Sequence, residues 1–169
     1  MLARLARSLR MAGHDTALAG PAEPDAGLVL RCRAENRTLL SRDRALVTSA
    51  GHSVAALLLS VDDLDGQARL LSRDFELDWL AAPFTRCLLD NAPLVDASAA
   101  QRDALPEAAR AGAGPFRSCP ACGRTYWPGS HVRRMLARLR AWDCWRLDRT
   151  DDCRAGFDRV FRLHGGPVR

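Results

Sequence analysis

Apolar residues near the start of the chain recur at Leu2, Leu5, Leu9 and Ala12, with Ala6 beside them, while Arg4, Arg7 and Arg10 occupy another stripe. That spacing predicts an amphipathic helix, which Gly13 ends. Thr16-Ala17-Leu18-Ala19 reads as a short strand, and residues 21–24, bounded by two prolines, as a loop. Asp25 is placed to cap a second helix over 26–36, with Leu28, Val29 and Cys32 turned inward. Thr38-Leu39-Leu40-Ser41 predicts a short buried strand running directly into Arg42-Asp43-Arg44, followed by a helical turn over 45–50. Residues 53–60, Ser-Val-Ala-Ala-Leu-Leu-Leu-Ser, are apolar without alternation, as expected of a strand covered on both faces. Val61-Asp62-Asp63 then leads into a helix over 64–75.

Strands alternating with helices over residues 1–80 predict an α/β fold with a small parallel sheet of three strands. The sequence opens inside a helix, whereas sheets of this kind usually open on a strand. The pattern changes over 84–131, where two short Cys-containing knuckles flank a polar, Ala-rich spacer. Residues 131–145 are again amphipathic, with Met135, Leu136, Leu139 and Trp142 on one stripe, and the last 24 residues have no strong period. The expected division is therefore 1–80, 84–135, and a C-terminal helix and tail over 136–169 without an assigned role.

Charge separates the same halves. Residues 1–80 carry 10 Arg against 11 acidic residues, and residues 81–169 carry 15 Arg against 9, so the second half accounts for the net charge of +5. There is no Lys. Exclusive use of Arg fits a GC-rich coding sequence, yet its planar fork suits phosphate and stacks on bases whatever its origin. No run approaches the roughly 18–20 apolar residues of a membrane span. The basic N-terminal segment has no unbroken apolar stretch after its charges, so no export signal is read and a cytoplasmic location is expected.

In such a location the six cysteines point to metal rather than disulfides. Cys119-Pro120-Ala121-Cys122-Gly123 is a knuckle that aims two thiolates at one ion, with Gly123 free to close the turn. Upstream, Cys87 is followed at the third position by Asp90, where a second Cys would normally stand. A carboxylate can ligate zinc, so the expected Zn²⁺ site is Cys87, Asp90, Cys119 and Cys122, with His131, Cys144 and Cys153 as alternative ligands. Cys32 belongs to a helix's apolar face.

A second site is expected where strands of an open sheet end. Asp43 directly follows the 38–41 strand, and Asp25 opens the helix after 16–19, so both can reach one sheet edge. Asp62 and Asp63 follow the next strand; Asp25, Asp62 and Asp63 can each instead be a helix N-cap, and Asp43 is the sharpest candidate of the four. Converging carboxylates suit a hard divalent cation such as Mg²⁺ or Mn²⁺, which can activate water and clamp a phosphodiester. Arg42 can neutralise a phosphate or pair with an acid.

Four runs carry a family resemblance: Leu5 through Asp15, Leu39 through Arg44, Arg86 through Asn91, and Cys119 through His131 with its Tyr126-Trp127-Pro128-Gly129-Ser130-His131 stretch. They resemble the Mut7-C family over about four fifths of the chain. The resemblance implies a PIN-like ribonuclease domain followed by a zinc ribbon. It also implies metal-dependent RNA cleavage with Asp43 and Asp25 as metal-binding acids, and four cysteines on zinc. Three departures stand out. An opening strand ending in Asp precedes the first helix in the family's pattern, so either such a strand is encoded upstream or catalysis is impaired. Asp90 takes the place of a zinc-binding Cys, and residues after about 141 do not follow the family's ending. A metal-dependent endoribonuclease is the first expectation; a non-catalytic RNA- or ribosome-binding zinc-ribbon protein is the alternative.

Overall fold

A computed structural model describes residues 2–146. Helix α1 (Ala3–Met11) is followed by α2 (Asp25–Ala34), β1 (Leu39–Ser41), α3 (Arg44–Ala50), β2 (Ala56–Leu58) and α4 (Leu64–Asp74). Strands β1 and β2 pair in parallel, Leu39 opposite Ala56 and Ser41 opposite Leu58. A parallel pair cannot be closed by a tight hairpin, and α3 supplies the crossover.

Both faces of this sheet are covered, as the uninterrupted apolar runs predict. Leu39 and Ala56 pack with Cys32, Leu46, Ala50 and Val54 on the α2/α3 side. Leu40, Leu57 and Leu59 pack with Leu5, Leu9, Leu71, Trp79, Leu139 and Trp142 on the other. Among the described residues the parallel sheet has two strands, not three. Residues 16–19 do not join it because their polar groups are otherwise engaged: the Thr16 N–H donates to Asn91 Oδ1 and its carbonyl accepts from Arg10 Nε. Leu18 is exposed.

The second half builds around short antiparallel pairs. Strand β3 (Val95–Asp96) pairs with β4 (Arg117–Ser118), and β4 with β5 (Thr125–Tyr126). Between β3 and β4 the spacer forms two short helices, α5 (Ala99–Asp103) and α6 (Glu107–Arg110), the first held by a capping box of Ser98 and Gln101.

Helix α7 (Ser130–Arg146) then returns to the first core, so the expected boundary at 135/136 falls inside it. Leu139 and Trp142 are fully buried against α1 and α4. Trp142 meets Trp79 edge-to-face at 4.8 Å, and its indole N–H donates to Asp65 at 2.8 Å. Trp79 donates to the buried Ser72 hydroxyl, which lies within hydrogen-bond distance of the Trp142 carbonyl. These bonds satisfy polar atoms that burial would otherwise make costly. No helix of the described residues is long and apolar enough to cross a membrane.

Candidate metal centre and acidic cavity

Each knuckle is a closed turn with one residue in the left-handed region. In the second, the Gly123 N–H donates to the Cys119 carbonyl at 2.9 Å and Gly123 takes φ +70°. The first repeats this with different residues: the Asn91 N–H donates to the Cys87 carbonyl at 3.0 Å, and Asn91 takes φ 66°. Asn tolerates this region better than other residues with a Cβ, so Asn91 does the work of the second knuckle's glycine.

The two turns bring Cys87, Asp90, Cys119 and Cys122 together, with one ligand atom of each lying within 4.8 Å of all the others. The spacing suits a tetrahedral ion. Two sulfurs about 2.3 Å from a common zinc stand about 3.8 Å apart at the tetrahedral angle, and a sulfur and a carboxylate oxygen about 3.6 Å apart. Cys87 and Cys122 sulfurs are separated by 3.8 Å, and Asp90 Oδ2 lies 3.5 Å from Cys87 Sγ and 3.4 Å from Cys119 Sγ. The group can bind a metal such as zinc. Neither His131 nor Cys144 belongs to it; Cys153 lies outside the described residues.

The four side chains lie within hydrogen-bond reach of one another. The Asp90 carboxylate holds the Cys122 thiol protonated, its pKa pushed up to about 12. Hydrogen bonds from Cys122 and Cys119 in turn hold Asp90 below the usual carboxylate range. Burial works to raise the Cys87 thiol, but the Tyr126 hydroxyl, the backbone at Asp90 and Leu89, and Cys119 outweigh it and bring it below the ordinary thiol value. Tyr126 closes the inner side, its hydroxyl 3.2 Å from Cys87 Sγ and accepting from the Leu88 N–H.

Arg10 anchors the first knuckle from α1. The pattern of α1 puts Arg10 on an exposed stripe with Arg4 and Arg7, but it is 5% exposed. Its guanidinium donates to the carbonyls of Leu88, Leu89 and Thr16. Periodicity missed it because Arg10 turns toward a segment nearly eighty residues away. The Asn91 side chain adds a second tie, accepting from Thr16 N–H and donating to Asp15. Asp15 is also held bidentately by Arg37 at 3.1 and 3.2 Å, and Arg37 first, then Asn91, keeps its carboxyl below the usual range.

Asp15 and Arg37 line a cavity of about 760 Å³ that also includes Asp25, Ser41 and Asp43. Asp43 follows β1 as expected and caps α3, one oxygen accepting from the N–H groups of Ala45 and Leu46. Asp25 is the first residue of α2, not its cap; Pro24 takes that position and no side chain caps the helix. Asp63 caps α4 through Gly66 N–H, and Asp62 pairs with Arg42. Among the described residues these acids form no tight group like that of the knuckles.

No curated protein and no solved structure matches the chain. The model of the Mut7-C RNAse domain family does, over residues 1–139, a span that takes in both sheets, both knuckles and α7 as far as Leu139. The chain belongs to the Mut7-C RNAse domain family.

Proposed function

We propose that the protein is a metal-dependent endoribonuclease of PIN-like type, hydrolysing RNA phosphodiesters at the cavity bordered by Asp25 and Asp43. The observation that carries the reading is that two carboxylates from separate elements line one cavity in a chain of an RNase-domain family. The donor set suits a hard cation. Among the described residues, Asp43 commits one oxygen to capping and leaves the other without a partner, and Asp25 has no side-chain hydrogen bond. Mg²⁺ or Mn²⁺ there would retain water as most of its shell, and when bound it supplies charge neutralisation and an acidified water. Asp43 and Asp25 would hold the cation, and Ser41 Oγ fixes the Asp43 backbone by accepting its N–H, while Arg42, paired with Asp62 outside the cavity lining, would have to leave that partner to meet a phosphate. The knuckle ion is read as structural Zn²⁺ in a zinc ribbon, where thiolate ligation couples binding to folding.

The test is cleavage of a labelled RNA by the full chain in Mn²⁺. Asp43→Asn keeps a competent helix cap, since Asn caps as well as Asp, while removing the charge. It should lower cleavage at least about a hundredfold with the fold intact. Undiminished cleavage by Asp43→Asn would remove Asp43 from the site. A second reading, a non-catalytic RNA-binding protein, is favoured by one observation: Asp43 is engaged as a cap and the acids do not converge tightly. Tight RNA binding without Mn²⁺-dependent cleavage would select it.

A further inference from the structure

A groove of about 660 Å³ lies on the other side of α1, between that helix, the first knuckle, and the segment from β5 into α7. It shares no lining residue with the acidic cavity. We propose that this groove is a docking site for single-stranded RNA, with Trp127 as the base-stacking platform and Arg7 and Arg124 as phosphate contacts.

Charge is the first argument. The charged residues lining the groove are Arg7, Arg124 and Arg138, with no Asp or Glu among them. Arg138 is held by Asp65 at 2.9 Å. Arg7 and Arg124 come from different elements, and neither has an ion-pair partner among the described residues, although the chain has nearly as many acids as arginines. Guanidinium groups left unpaired on two walls of one concavity suit a polyanion.

Trp127 is the second. It lines the groove half-buried, and its indole N–H has no hydrogen-bond partner among the described residues. Gly129 folds back against the indole edge: its N–H donates to the Trp127 carbonyl at 2.7 Å, and a Cβ there would stand 3.2 Å from the indole nitrogen. The ring is thus held from one side in a groove whose volume is within the range of small-ligand sites, roughly 300–1,000 Å³, enough for about one or two nucleotides. An aromatic ring lining a concave basic site suits unstacked bases, which a duplex does not offer.

The inference rests on the ribonuclease reading for its choice of RNA, and its test is separable from it. Binding of a labelled ten-nucleotide single-stranded RNA is followed by fluorescence anisotropy in the full-length Asp43→Asn chain. Adding Trp127→Ala should weaken binding about 5- to 150-fold, the range for losing one stacked base, and Trp127→Phe should restore most of it. Arg7→Ser with Arg124→Ser should flatten the dependence of log K on log salt by about 1.4, or about 0.7 per phosphate. Zinc content and circular dichroism verify that each variant is folded. Trp127→Ala binding within twofold of its parent, equal affinity for a ten-base-pair duplex, or preference for an acidic peptide over RNA would each overturn the assignment. Loss of cleavage by Asp43→Asn with groove-dependent binding intact supports both readings. Asp43-dependent cleavage with binding unmoved by Trp127→Ala sinks the groove alone.

Discussion

Asp90 is the proposed zinc ligand at which the two knuckles depart from an all-cysteine set. Its Oδ2 lies within 0.2 Å of the sulfur–oxygen separation expected around zinc for both Cys87 and Cys119. Apparent binding free energies of structural zinc are about 10–16 kcal/mol, so one of four ligands is worth roughly 2.5–4 kcal/mol if shared equally. Asp90→Ala should therefore weaken zinc binding by about two to three orders of magnitude at neutral pH. Asp90→Cys should strengthen it, because thiolate is the softer and better zinc ligand.

The assay is competition of each purified chain against a chromophoric zinc chelator, with zinc per chain measured by elemental analysis. Two controls bound the interpretation. Cys119→Ser removes a buried thiolate and should lose zinc and destabilise the β3–β5 region. Asp90→Asn retains the shape and a neutral oxygen and should fall between Asp and Ala. If Asp90→Ala bound zinc within threefold of the parent, the fourth ligand would be water or another side chain, and the spacing agreement would carry no meaning.

Three further outcomes follow from other parts of the molecule. Gly13→Ala should destabilise the chain by roughly 2–6 kcal/mol in urea unfolding, because Gly13 takes φ +97° and a Cβ there would lie 2.2 Å from the Ala82 carbonyl oxygen, a backbone atom; a loss under about 1 kcal/mol would contradict the packing of α1 on residues 82–84. At Asp65, burial works to raise the carboxyl, but hydrogen bonds from Arg138 and Trp142 outweigh it and lower the pKa, so its contribution is complete above the unfolded value and is lost as pH falls through the folded one, below about pH 4. Tryptophan emission should report α7 loosening in that window, and Asp65→Asn should remove the acid step. Arg10→Met should cost roughly 2–4 kcal/mol, since the carbonyls of Leu88, Leu89 and Thr16 lose their charged donor; unchanged stability with unchanged zinc release would show that Arg10 anchors nothing.

Local pattern carried much of this architecture. The 3.6-residue spacing marks α1, the unalternating run at 53–60 marks a strand covered on both faces, and Cys-x-x-Cys marks the second knuckle. Tertiary ties were less visible. Residues 16–19 have strand composition but give Thr16's backbone groups to Asn91 and Arg10, which no local window reveals. Asp25 has the composition of a cap, yet Pro24 sets the helix start one residue earlier. Asn91 was readable in principle: aligning the two knuckles sets Cys87, Asp90 and Asn91 against Cys119, Cys122 and Gly123, and Asn opposite Gly signals a left-handed turn. The acids at 43 and 63 show the opposite limit, for a cap and a cation ligand require the same residue at the same place, and local sequence does not separate the two.

The placement of Arg10 gives the metal centre a reason to sit against α1. A dication held by three thiolates and a carboxylate carries about −2 in total, and a half-buried cluster of that charge is costly without a nearby cation. Burial lowers the pKa of Arg10, while Cys87 and Asp90 act in the opposite direction and favour its charged form. The same guanidinium donates to the Leu88 and Leu89 carbonyls, the two residues that connect Cys87 to Asp90. One side chain thus offsets the charge of the cluster and fixes the turn that shapes it. From that turn Asn91 reaches Asp15, and Asp15 holds Arg37 at the rim of the acidic cavity. A knuckle that loses its ion loses the force that gathers four acidic groups, and its turn is the element to which Asn91 belongs. Contacts thus run from the first knuckle to the rim of the acidic cavity, and if zinc fills the knuckle site its removal by chelator is expected to raise amide hydrogen exchange around Asp15 and Arg37, although neither is among the candidate ligands; unchanged exchange there would show that the contacts carry no coupling.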